Sequence, residues 1–123
     1  MVVVIADKLR YSGVAKPEAL NKETVVIEIK NQSEDYIVEG WLDVSALDVN
    51  DNLLVYEYVA VDGVNYRIFS GVQLSGKVPE PVIRFHGKTF VYDMMYKVVI
   101  IQTSGTLRSF PYRFTHEILA KVI

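Results

Sequence analysis

The chain has no cysteine. Thiol catalysis, disulfide staples and cysteine-ligated zinc are therefore excluded. Histidine is nearly as scarce: His86 and His116 stand too far apart in sequence for metal-ligand spacing. No serine lies in a nucleophile-elbow motif. No apolar run approaches the ~20 residues of a membrane-spanning helix. The opening segment, 1–7, is apolar but too short for a secretory leader, and no basic stretch precedes it. These absences leave no metal, cofactor or catalytic group to nominate. They point to a non-enzymatic domain, with no membrane insertion.

The abundant material is strand-type sequence. Of the 123 residues, 50% are hydrophobic, enough for a single domain over 1–123 with its own core. A chain of this length buries roughly two-thirds of its unfolded surface. Val25-Val26-Ile27, Leu54-Val55-Tyr56, Phe90-Val91-Tyr92 and Val98-Val99-Ile100-Ile101 are β-branched and aromatic runs. Asn, Asp, Gly and Pro clusters cut them apart. That spacing predicts an all-β fold, an antiparallel β-sandwich, with a jelly roll or an up-and-down barrel as the alternatives.

Alternation predicts strands over 2–9, 24–30, 36–47, 53–61 and 64–74, then a short edge strand over 82–86. A long central strand over 89–103 and another over 107–114 follow. Pro17 opens a single helical turn over 16–20. The tail, 115–123, fits either a short helix or continued strand, and strand is preferred. Asp62-Gly63 predicts a two-residue hairpin turn with positive φ at both residues. Gly40, inside the third strand, marks a bulge or a close backbone approach.

Four positions resemble the immunoglobulin-like sandwich. Trp41 follows Ile29 at the spacing of that family's core tryptophan, and Val98 falls where its sixth strand contributes to the core. Tyr96, two residues before Val98, matches the corner tyrosine, and Asp93 lies near its acidic companion. The resemblance covers about residues 24–103. It implies an immunoglobulin-like sandwich with Trp41 in the core, which requires Gly40 to bulge the strand. Without a bulge, Trp41 joins Glu39 and Asp43 on an open face.

Charge is split along the chain. Residues 1–63 carry five basic against twelve acidic side chains; residues 64–123 carry eight against three. Either strands of the two halves interleave and mix the charges, or the particle is dipolar and stacks head to tail.

The candidate binding or interface residues are Trp41, Tyr56, Tyr58, Arg84 and His86. Trp41 is the sole tryptophan and, if exposed, could stack on a sugar ring or anchor a protein. Tyr56 and Tyr58 share a strand face with Leu54 and Ala60. Arg84, His86 and Lys88 alternate along the edge strand, where charge blocks unwanted pairing. Overall acidity and too few basic residues on one face argue against nucleic acid. Asp48–Asn52 begins like a calcium loop, but Leu53 replaces its glycine and Val59 its glutamate, so turn chemistry accounts for it. Asn31-Gln32-Ser33 is a glycosylation sequon, which matters only in an exported chain.

The sequence thus implies a structural or protein-interaction module, a virion or other assembly subunit, whose partner is a protein or a second copy. The alternative is a module binding carbohydrate or another ligand. The compartment is unknown; a virion or the cytoplasm fits if Met1 is the native start.

Overall fold

The β-branched and aromatic runs form eight strands: β1 (Val2–Ala15), β2 (Glu23–Ile29), β3 (Tyr36–Asp43), β4 (Asn52–Ala60), β5 (Arg67–Ser75), β6 (Val82–Phe90), β7 (Met95–Ser104) and β8 (Phe110–Val122). The computed structural model describes residues 2–122, with side chains described over 4–120. The tail is strand to Val122, as its alternation indicates. The expected helical turn at 16–20 is instead an irregular loop. Asn21 closes that loop at φ 63, its N–H donating to the Gln102 carbonyl at 2.8 Å.

All pairings are antiparallel and nested: β1 with β8, β2 with β7, β3 with β6, β4 with β5. The chain is therefore one long hairpin folded at the β4–β5 turn. Rolling it up adds two further pairings, β3 with β8 and β4 with β7. The result is two four-stranded sheets, a front sheet β1-β8-β3-β6 and a back sheet β2-β7-β4-β5. This is an antiparallel β-sandwich with the strand order of a jelly roll.

The immunoglobulin-like order is not the one formed. That fold places its two core partners of the tryptophan on opposite sheets. Here Ile29 and Val98 lie on neighbouring strands of the back sheet. Trp41 stands outside, 50% exposed. Tyr96 donates its hydroxyl to the Glu57 carboxylate at 2.6 Å rather than to an upstream backbone group.

The same order interleaves the acidic and basic halves. Every strand from the acidic half lies beside strands of the basic half, in both sheets. Lys88 meets Glu57, Lys97 meets Glu23, Arg108 meets Asp51 and Lys77 meets Asp48. Acidic and basic side chains of the two halves therefore mix across both sheets, the interleaved arrangement of the two expected.

The core follows from period-two alternation. β3 buries Tyr36, Val38 and Leu42, while Ile37, Glu39, Trp41 and Asp43 face outward. Aromatic rings fill the core: within the front sheet Tyr36 packs on Phe90 at 5.0 Å and Phe85 on Phe114 at 5.3 Å, and Phe90 reaches Tyr96 of the back sheet at 5.2 Å. Each buried aromatic side chain stabilises the fold by about 1.5–3 kcal/mol. The Tyr36 hydroxyl donates to the Met94 carbonyl at 2.6 Å, and burial pushes its pKa up to about 12.

Two turns depart from expectation. The β4–β5 hairpin exists, but its loop spans 61–66 and only Gly63 has positive φ, at +75. Asp62 keeps ordinary backbone geometry because its carboxylate accepts the Val64 and Asn65 N–H groups. Those amides, with the Asn65 side chain, hold its pKa down to about 2. The long run over 89–103 is broken at 91–94, where the Met94 N–H closes a turn on the Val91 carbonyl and Asp35 accepts the Tyr92 N–H. β7 alone is the central strand expected there.

Candidate functional site at the outer sheet faces and the open edge

The five residues singled out from sequence fall on two opposite faces. Trp41 and Arg84 lie on the outer face of the front sheet, and Tyr56 and Tyr58 on the outer face of the back sheet. His86 is exposed at the front-sheet edge.

On the front sheet Trp41 pairs with Arg84 of β6 on one side and Arg113 of β8 on the other. The Arg84 guanidinium carbon lies 5.3 Å from the indole centroid, a cation–π contact. The β3–β8 register runs unbroken from Tyr36 to Leu42, so Gly40 does not reverse the phase. Gly40 instead marks a close approach: a Cβ there would fall within the Phe114 ring.

The bulge lies on β6, at His86–Gly87, where Val38 opposes Lys88 but Gly40 opposes Phe85. It corrects the expected alternation of Arg84, His86 and Lys88. The extra residue turns Lys88 inward, where its ammonium sits 2.8 Å from the Glu57 carboxylate. Burial, followed by the Glu57 hydrogen bond and charge, drives the Tyr96 hydroxyl far above the ordinary tyrosine range. The alternation pattern contains no trace of this Lys88–Glu57–Tyr96 cluster, because Glu57 reads as one polar residue in an apolar strand.

Two grooves flank Trp41 on the front face. One, of about 520 Å³, lies between Val14, Asp43, Val82 and Arg113; the other, of about 300 Å³, lies between Arg10, Glu39 and Thr115. Trp41, Ser12 and Arg113 border both. Arg113 was missed from sequence. Its alternation with Tyr112 and Phe114 turns it outward, but only the sheet order sets it beside Trp41.

On the back face, Tyr58 contacts Tyr56 at 6.1 Å and Tyr66 at 6.4 Å between centroids. The Lys97 ammonium lies 4.5 Å from the Tyr66 ring and 5.2 Å from that of Tyr58. Tyr66 donates to Glu28 at 2.8 Å. Burial, the hydrogen bond to Glu28 and its charge together raise the Tyr66 hydroxyl well above the ordinary range. These contacts are internal to the face, so Tyr56 and Tyr58 are held as a packed layer.

Asp51, in the acidic loop considered for calcium, is buried and serves the fold. Its carboxylate accepts the Asp48 and Thr106 N–H groups at 2.9 and 3.0 Å and the Arg108 Nε–H at 2.7 Å. Burial raises its pKa, but Arg108 and these amides outweigh that and hold it below the usual carboxylate range. Its oxygens are thus occupied by protein donors.

The open edge lies at β5. Each sheet has two edge strands, β1 and β6 in front, β2 and β5 behind. β1 carries Asp7, Lys8 and Arg10; β2 carries Glu23 and Glu28; β6 carries Arg84, His86 and its bulge. After Arg67 at its first position, β5 has no charged residue. Ile68 is 61% and Phe69 59% exposed, with Val72 exposed beside them.

No family model matches the chain, and no curated protein matches it by sequence. Among solved structures it is similar to a chain from the endospore appendages of Bacillus, described as a family of disulfide-linked pili. The TM-score is 0.56 and the identity 13%, over 96% of this chain and 89% of that one. It also matches chains of infectious bursal disease virus, Gx and Gt strains, at TM-scores of 0.44 and 0.42 with 10% and 11% identity. There it covers 95% and 96% of itself and 32% of the viral chains. The likeness is one of fold.

Proposed function

We propose that this protein is a non-enzymatic structural subunit that assembles by strand addition at β5. The observation that carries this reading is the uncharged, unpaired edge from Ile68 to Ser75, which exposes Ile68, Phe69 and Val72. Proteins normally blunt such an edge with charge, proline or a cover, because its free N–H and C=O groups template another strand. β2 and β6 carry charge along their length, and β1 carries Asp7, Lys8 and Arg10 at its centre, with Ile5 and Val14 exposed on either side. β5 has only a bulge at Phe69–Ser70, which leaves 70–75 straight.

The partner is a second copy of the chain. Main-chain hydrogen bonds supply affinity, and Ile68, opposite Tyr58, and Val72, opposite Val55, supply apolar contact on the two faces of the strand. The likeness in fold to a pilus subunit over nearly the whole chain supports this reading. That pilus is described as disulfide-linked; these 123 residues contain no cysteine, so the contacts proposed are noncovalent.

The test is sedimentation of the wild type against an Ile68→Lys/Val72→Lys variant over a range of concentrations. The wild type self-associates and the variant stays monomeric while keeping its thermal unfolding temperature. A wild type that remains monomeric at every concentration, or a variant that assembles equally well, contradicts the proposal.

A further inference from the structure

We propose that the front face around Trp41 is a binding site for a neutral oligosaccharide, independent of the β5 edge. The indole is half exposed and is flanked on neighbouring strands by Arg84 and Arg113. Glu39 and Asp43 lie two residues to either side of it on the same strand face. Among the described residues Arg84, Arg113, Glu39 and Asp43 form no ion pair. Their hydrogen-bonding capacity is unspent, apart from the Ser45 N–H that Asp43 accepts at 2.8 Å.

Ligand charge is decided by this mixture. An anion would meet Glu39 and Asp43, and a cation would meet the guanidinium groups of Arg10 and Arg113 in the grooves and of Arg84 on the indole. A sugar hydroxyl satisfies both kinds, because it donates to a carboxylate and accepts from an arginine. The Arg84 guanidinium lies over the indole at 5.3 Å, and the apolar face of a pyranose ring would stack on the face turned away from it, since an indole is an amphipathic side chain with a large rigid surface. Grooves of about 520 and 300 Å³ on the two sides of Trp41 suit a chain of sugar units lying across the indole better than one unit. Val14 and Val82 line the larger groove and would pack against the ring carbons.

Cello-, laminari-, malto- and chitohexaose at millimolar concentration are the probes, read by titration calorimetry and by tryptophan emission. Trp41 is the sole tryptophan, so emission reports on this face alone. At least one hexasaccharide gives saturable binding with a blue shift. Trp41→Ala weakens that binding about tenfold or more, as expected for a central aromatic anchor. Trp41→Phe weakens it less, Asp43→Asn and Arg113→Gln each weaken it, and Tyr58→Ala on the opposite face leaves it unchanged. Three results overturn the proposal: no heat and no emission change with any of the four, binding confined to an acidic probe such as oligogalacturonate, or binding that survives Trp41→Ala.

Discussion

The Lys88 ammonium lies 2.8 Å from the Glu57 carboxylate inside the sandwich, although Lys88 belongs to an edge strand. A one-residue bulge at His86–Gly87 puts it there. Removing one partner of a largely buried pair leaves the other charge uncompensated, which costs more than the pair contributes. Lys88→Met should lower stability by about 2 kcal/mol. The double variant Lys88→Met/Glu57→Leu should recover only part of that loss, because it removes both charges but leaves the buried Tyr96 hydroxyl without its acceptor. Urea unfolding of the two single variants and the double variant, combined as a cycle, measures the coupling.

His116 is buried between Tyr11 and Tyr36, and neither ring nitrogen has a hydrogen-bond partner in the protein. Burial lowers its pKa from 6.5, with Asp7 opposing the shift. The native state therefore binds fewer protons than the unfolded state once pH falls below the ordinary histidine value. The stability that His116 contributes is complete above about pH 6.5 and declines as pH drops through the folded value. The urea midpoint should fall between pH 7.5 and pH 5, where carboxylates do not yet titrate, and His116→Phe should flatten that slope.

Asp51 ties the 48–51 turn to the 104–108 loop through Arg108 and two amides. Asp51→Ala should cost about 3 kcal/mol, because it leaves two N–H groups and a guanidinium without their acceptor. Asp51→Asn keeps the shape but not the charge and should cost less. Thermal unfolding of both variants ranks the two effects.

Gly40 lies under the Phe114 ring, so Gly40→Ala should displace a core aromatic and cost about 2 kcal/mol. Near-ultraviolet circular dichroism should change with it, because Phe114 packs on Phe85 and Tyr112. A neutral Gly40→Ala would show that the ring can move aside freely.

Much of the strand inventory was legible. β2, β3, β4 and β7 alternate or run apolar between Asn, Asp and Gly turns, and the tail continues the period of β8. Sheet membership was not legible. Ile29, Trp41 and Val98 keep immunoglobulin-like spacing, yet spacing along the chain cannot say whether two strands pair or oppose. A bulge is equally silent: nothing in Arg84-Phe85-His86-Gly87-Lys88 announces that Lys88 turns inward, since Gly87 also suits a turn. Trp41 was readable in part, because unbroken alternation placed it with Glu39 and Asp43. Its neighbours Arg84 and Arg113 come from β6 and β8, which only the rolled topology brings to β3. The openness of β5 likewise depends on where that strand falls in its sheet.

The account rests on β5 as the assembling edge, and amide hydrogen exchange at rising protein concentration tests it most directly. The account predicts that protection appears with assembly on the amides of 68–75, while β1, β2 and β6 keep their monomer exchange rates. Assembly that protects another edge, or that leaves 68–75 exchanging as in the monomer, would contradict it.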